Sequence, residues 1–224
     1  MVIGISVSGS DDLSAWGYSA ADVNRAIVRL SEGLLAAGAR LMFGQDWQPD
    51  GVMDAICRLA LRYQPAEKSG PSVPLIHNLL AWPNKPSMDP SLRSELEQRG
   101  VLKIETLPAP RDEWISPTLD TAKALASTEM RRRLAKDCDA RICLSGALPT
   151  DQTRGFYAGV IEEAYLTAKK GKPVYFANFL GGACSSLVTY LKGQDSDKQH
   201  VQTIFSVITS KQQILEDVNP RLCA

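Results

Sequence analysis

With 224 residues, 44% of them apolar, and 25 Lys plus Arg set against 25 Asp plus Glu, the chain can bury the core of one large domain. It has neither a disordered composition nor the basic field of a general polyanion binder. The only two histidines, His77 and His200, lie far apart, and the five cysteines (Cys57, Cys138, Cys143, Cys184, Cys223) show no CxxC spacing. A His-rich metal site, a Ser-His-Asp triad, a zinc knuckle and a disulfide framework are therefore not indicated. No apolar run reaches the roughly 20 residues of a bilayer span, and "MVIGISVSGS" lacks the features of a signal peptide, so a cytoplasmic protein is expected.

In chain order, "VIGISVSG", "ADVNRAIVRLSEGLLAAG", "ARLMFG" and "DGVMDAICRLALRY" read as strand, helix, strand, helix. In the first helix Val23, Ile27, Leu30 and Leu34 recur at three- and four-residue steps, and Gly38 stands where a C′ residue would end it. Two Pro- and Ser-rich loops, "QPAEKSGPSVP" and "WPNKPSMDPS", flank a third strand over Leu75 to Trp82. A short helix over Ser91 to Gln98, the strand "VLKIETL", the irregular "PAPRDEWISP" and a long helix over 119–136 follow. Then come the strand "ARICLSG", a helix over Val160 to Lys170, the strand "KPVYFANF", the helix "GACSSLVTYLKG" and a last helical segment over about 200–217. There is no internal repeat. The alternation predicts a single α/β domain of the Rossmann-like doubly wound type, a mostly parallel sheet flanked by helices, whose ligands sit at the carboxyl ends of strands.

Three loops that follow strands are candidate ligand contacts. In the first, Ser8, Gly9 and Ser10 would let backbone N–H groups approach a phosphate, or would simply form a polar turn before the next helix. The sequence is neither GxGxxG nor a Walker A loop. In the second, Gly44 ends a strand, and Asp46 and Trp47 could meet a ribose and a base. Trp47 could equally cover the sheet edge, with Asp50 capping the next helix.

The third runs from Gly146 through Gly155 and Gly159 into a helix whose first turn carries Glu162 and Glu163. Helical neighbours point about 100° apart, so at most one of the two can face a ligand squarely, leaving the other to bond loop N–H groups or an arginine. The macrodipole by itself also favours carboxylates there. Arg131, Arg132 and Arg133 form either an exposed basic face or a source of an arginine for a bound phosphate or for Glu163.

Taken together, "SGS" after strand one, "GARLMFG", "MRRRLAKDCDARICLSG", "GVIEEA" with "GKPVYF", and "GGA" after the last strand resemble the SLOG superfamily over about residues 2–192. That group of Rossmann-like domains includes the Lonely Guy phosphoribohydrolases, DNA-processing protein A, the cytosolic domains of melastatin-type TRP channels and the ligand-sensing domain of a Thoeris antiphage effector. The resemblance implies a nucleotide-derived ligand, with Gly181 and Gly182 of "FLGGA" as further backbone donors. The hydrolase branch's contiguous Pro-Gly-Gly-x-Gly-Thr-x-x-Glu box is replaced here by "SGALPTDQTRGFYAGVIEE", which lacks the Gly-Gly and Gly-Thr pairs. Alignment on "KDCDARI" sets Met130 nearest that branch's functional arginine, or Arg131 if the register shifts by one.

Two functions are therefore expected to compete, with a pure scaffold or filament-forming subunit as a third class. The first is a sensor of an adenine nucleotide or ADP-ribose-type signal in bacterial antiviral defence, acting as a homo-oligomer on a separate effector protein. The second is an N-glycoside hydrolase or transferase with Glu162 and Glu163 as its catalytic carboxylates. Neither requires a metal or cofactor, and neither a membrane nor a nucleic acid is an expected partner.

Overall fold

The computed structural model describes residues 1–45, 52–63, 73–109, 119–148 and 158–192. Six strands, β1 (Val2–Ser8), β2 (Arg40–Gly44), β3 (Ile76–Leu80), β4 (Leu102–Thr106), β5 (Ala140–Ser145) and β6 (Val174–Ala177), pair in the order β4-β3-β2-β1-β5-β6. Every pairing is parallel. Among the described residues, five α-helices connect them, α1 (Ala20–Ala36), α2 (Val52–Ala60), α3 (Pro90–Gln98), α4 (Leu119–Asp137) and α5 (Gly159–Lys169), and α6 (Gly182–Leu191) follows β6. The strand order runs outward from β1 in one direction as far as β4 and then resumes at β5 on the other side of β1. This is the doubly wound, Rossmann-like single domain that the strand–helix alternation predicts, with its topological switch between β1 and β5.

Strand alternation divides the core. Ile3, Ile5, Leu41, Phe43 and Ile76 face the helices α1 and α2, packing with Val23, Ile27, Met53 and Ile56. Met42 and Leu79 face the other way, onto Met130, Leu134 and Cys138 of α4 and the segment after it. A smaller cluster of Cys143, Val160, Ala164 and Cys184 joins β5, α5 and α6. The described cysteines are all buried and unpaired, and burial pushes the Cys143 thiol up to about 12, as suits an apolar core residue.

α1 starts at a capping box in which the Ser19 side chain accepts from the Asp22 N–H and Asp22 accepts from the Ser19 N–H. It ends with Gly38 in the left-handed conformation. Its fully buried stripe is Val23, Ile27, Ser31 and Leu35, while the expected Leu30 and Leu34 are partly buried beside it. A step of four residues rather than 3.6 selects this stripe, turning the face about one position from the apolar pattern. The last helical segment over about 200–217, and Cys223, lie outside the described residues, and no helix among those described is long and apolar enough to cross a membrane.

Candidate ligand-binding crevice

A crevice of about 490 Å³ opens at the carboxyl ends of β1, β2, β3 and β5, a size suited to a small-molecule site. Of the residues expected to bind ligand, Ser8, Gly9, Gly44, Arg131, Gly159 and Glu163 line it. Asp46 and Trp47 lie outside the described residues. Apolar side chains of Leu13, Val23, Leu80 and Met130 form one part of the wall, and Asn24, Gln45, Asn84 and Lys85 add polar groups. Gln45 adopts a left-handed backbone conformation just after β2. Its carbonyl accepts from Asn78 Nδ2 at 3.0 Å and its side-chain oxygen from Asn84 Nδ2 at 3.1 Å, which fixes this strained residue at the rim.

The adjacent glutamates diverge as helical geometry requires, and each meets its own arginine. Glu162 is 0% exposed and turns toward α4, where Thr128 Oγ1 donates to its Oε1 at 2.8 Å and Arg131 pairs with its Oε2. Glu163, 8% exposed, turns toward the sheet. Its Oε2 accepts from Ser6 Oγ at 2.5 Å and pairs with Arg141 Nη1 at 2.5 Å, and neither bond uses Oε1. Arg131 thus serves Glu162 rather than Glu163. Met130 and Arg131 both line the crevice, Met130 as part of its apolar wall above the cluster under α4 and Arg131 as the charged group. Arg132 is half-buried and does not line the crevice, and Arg133 forms an i,i+4 pair with Asp137 on the exposed face. The three consecutive arginines therefore divide between a buried function and a solvated surface.

Arg131 is only 7% exposed, and its Nε has no hydrogen-bond partner. It lies against Gly159, where an added Cβ would come within 2.9 Å of Nη2. Gly159 is thus needed for the guanidinium's position, beside an α5 N-terminus that has no side-chain cap. Gly44 is held by packing too, since its Cβ would fall 2.6 Å from Leu134 Cδ1 of α4.

Arg141, which holds Glu163 from beneath the crevice, is the residue that the sequence reading passed over. It is 0% exposed within β5 and lies over Gly4, whose missing side chain leaves room for the guanidinium. Besides Glu163 it donates to Ser6 Oγ and to Thr167 Oγ1, each at 2.7 Å, and Thr167 in turn donates to the Glu163 carbonyl at 2.7 Å. A charged residue inside a strand that must be covered on both faces was the available signal, whereas its register partner Gly4 is set only by the pairing of β5 with β1.

The "GGA" loop is engaged differently from expectation. Ser10, Gly146, Gly181 and Gly182 do not line the crevice. Gly146, with φ of 111°, takes a bond from Ala183 N to its carbonyl at 2.9 Å, and its own N–H bonds the Ser8 carbonyl at 3.1 Å. The Ser8 hydroxyl accepts from Ala147 N at 3.0 Å, so the loops after β1 and β5 brace one another. Among the described residues no group of three or more His, Cys, Asp or Glu side chains is placed to hold a metal.

A parallel sheet with a crevice at its switch point, lined by a buried arginine and by residues at the carboxyl ends of four strands, defines an α/β domain of the doubly wound, Rossmann-like class. The SLOG cluster2 family model matches residues 1–216, so the chain belongs to the SLOG family, which points to a nucleotide- or ADP-ribose-related ligand. Comparison with curated proteins and with solved structures gave no match.

Proposed function

We propose that the crevice binds an adenine nucleotide or ADP-ribose-type molecule and that the protein senses this ligand without cleaving it. The observation that carries the reading is Arg131, a buried guanidinium whose Nε lacks a partner, beside an α5 N-terminus without a side-chain cap. A phosphate oxygen there would satisfy the orphaned donor and meet the positive end of the helix. Sensing is favoured because Glu162 has both carboxylate oxygens engaged and no exposed surface from which to reach a sugar. The hydrolase branch's glycine box is also absent from the sequence. Action as a homo-oligomer on a separate effector in antiviral defence rests on the resemblance to the sensor branch.

Glu163 favours a second reading. It lines the crevice with Oε1 outside its two hydrogen bonds, as a carboxylate that stabilises an oxocarbenium at C1′ of an N-glycoside would need. The test is to titrate AMP, ADP, ADP-ribose and NAD by calorimetry and to assay the same mixtures for released base. Saturable binding without base release is expected. Arg131→Gln should weaken binding about ten- to a hundredfold, as loss of a charged hydrogen bond worth about 1.5–3 kcal/mol requires. Base release abolished by Glu163→Gln would instead establish the hydrolase, and no binding of any of the four would refute the nucleotide reading.

A further inference from the structure

Gln45, the first residue after β2, has a backbone φ of 53°, in the left-handed region where glycine is the unstrained residue. Three bonds hold a long amide side chain there instead. The Gln45 N–H donates to the Leu79 carbonyl at 2.9 Å, the fully buried Asn78 of β3 donates from Nδ2 to the Gln45 carbonyl at 3.0 Å, and Asn84 Nδ2 donates to Gln45 Oε1 at 3.1 Å. Gln45 Nε2 has no hydrogen-bond partner among the described residues, and Oε1 keeps its second lone pair. Gln45 and Asn84 both line the crevice. The amide therefore offers a donor and an acceptor side by side, in an order set by Asn84, because turning it round would bring two donors together.

We infer that Gln45 is a specificity-determining residue: its amide, oriented by Asn84, reads the amino group and the adjacent ring nitrogen of an adenine. A glutamine amide matches that pair bidentately, with Nε2 donating to the ring nitrogen and Oε1 accepting from the amino group. In hypoxanthine a carbonyl oxygen replaces the amino group, so two acceptors face each other and the contact becomes repulsive. The sheet supplies the separation that a nucleotide needs. Gln45 and Asn84 follow β2 and β3, whereas the α5 start that meets Arg131 follows β5, on the other side of β1. Neighbouring strands lie about 4.8 Å apart, so the ends of β2 and β5 are separated by roughly 10 Å, room for a ribose between base and phosphate. Val23 and Leu80 of the crevice wall are apolar surface on which a base can lie. This inference rests on the nucleotide reading and adds the residue that selects the base.

The test compares each of AMP, ADP, ADP-ribose and NAD with its hypoxanthine counterpart by calorimetry on the full chain. The wild type should bind the adenine member about ten- to a hundredfold more tightly, the range of one bidentate base contact. Gln45→Gly suits the left-handed backbone and removes the amide, so the two members should then bind alike. Asn84→Asp leaves only acceptors beside Gln45 and turns its amide round, so the adenine preference should fall by about tenfold or more. A merely structural part for Gln45 would weaken both members equally and leave their ratio unchanged. Equal binding of both members by the wild type, or an adenine preference unchanged in folded Gln45→Gly or Asn84→Asp, would overturn the inference and leave the nucleotide reading standing. If Gln45→Gly does not fold, Asn84→Asp, at an exposed position, decides alone. No binding of any of these ligands would refute the nucleotide reading itself, and this inference with it.

Discussion

Arg141 offers the sharpest test of how the site is held. The guanidinium has no solvent exposure and donates to Glu163, Ser6 and Thr167. Arg141→Met fills much of the same volume and leaves the Glu163 carboxylate in a buried setting without its cation. Removing one member of a buried ion pair costs about 3–5 kcal/mol. Glu163 keeps the Ser6 hydroxyl and is 8% exposed, so the lower end, about 3 kcal/mol, is expected. That is a large share of the roughly 5–15 kcal/mol of a whole domain. Glu163→Gln alone should also destabilise, but the double variant should cost about 2 kcal/mol less than the sum, because neither charge is then stranded. The same geometry predicts the effect of Gly4→Ala, whose Cβ would meet the guanidinium carbon at 3.1 Å. Overpacking there should cost about 1–3 kcal/mol in the wild type and less in the Arg141→Met background, where a flexible thioether replaces the guanidinium. Urea unfolding followed by far-UV circular dichroism, with the m-value unchanged, measures each quantity. An Arg141→Met cost below about 1 kcal/mol, or strictly additive costs, would refute the argument that this pair is a coupled, desolvated unit.

Gly159→Ala should move the Arg131 guanidinium, 2.9 Å from the new methyl, and weaken a phosphate-bearing ligand about tenfold, or about 1.4 kcal/mol, with an overpacking cost in stability of about 1–3 kcal/mol as at Gly4. Calorimetry beside a thermal melt checks this, and unchanged affinity would dissociate Arg131 from the ligand. At the start of α1, the side-chain and backbone donors of Ser19, with Arg25, hold the Asp22 carboxyl down at about 2. Its contribution is therefore fully present above the ordinary 3.8 and lost as pH falls through about 2, so amide protection in the first turn of α1 should persist to about pH 4 and then fade, a dependence that Ser19→Ala removes.

The order of strands and helices, the ends of α1 and the position of crevice-lining residues just after strands were all legible in the residue pattern, because they depend on local periodicity and on caps a few residues apart. Val23 and Ile27 on one face, Gly38 at the helix end and Glu162 in the first turn of α5, with Glu163 just beyond that turn because the helix begins at Gly159, are properties of neighbouring positions. Membership of the SLOG family was likewise readable from short motifs along the chain. Pairing across the sheet was not. Arg141 and Gly4 are distant in sequence and meet only because β5 lies beside β1, and that adjacency makes a cavity of a glycine and an ion pair of a strand arginine. Asp12 and Gly182 are farther apart still, and bonds from Ser10 and Gly182 to Asp12 turned two expected phosphate donors into partners of an internal carboxylate. Backbone donors advertise an affinity for anions in any sequence. Which anion reaches them is decided by tertiary contact, because hydrogen bonds and buried charges act over a few ångströms in space and not along the chain.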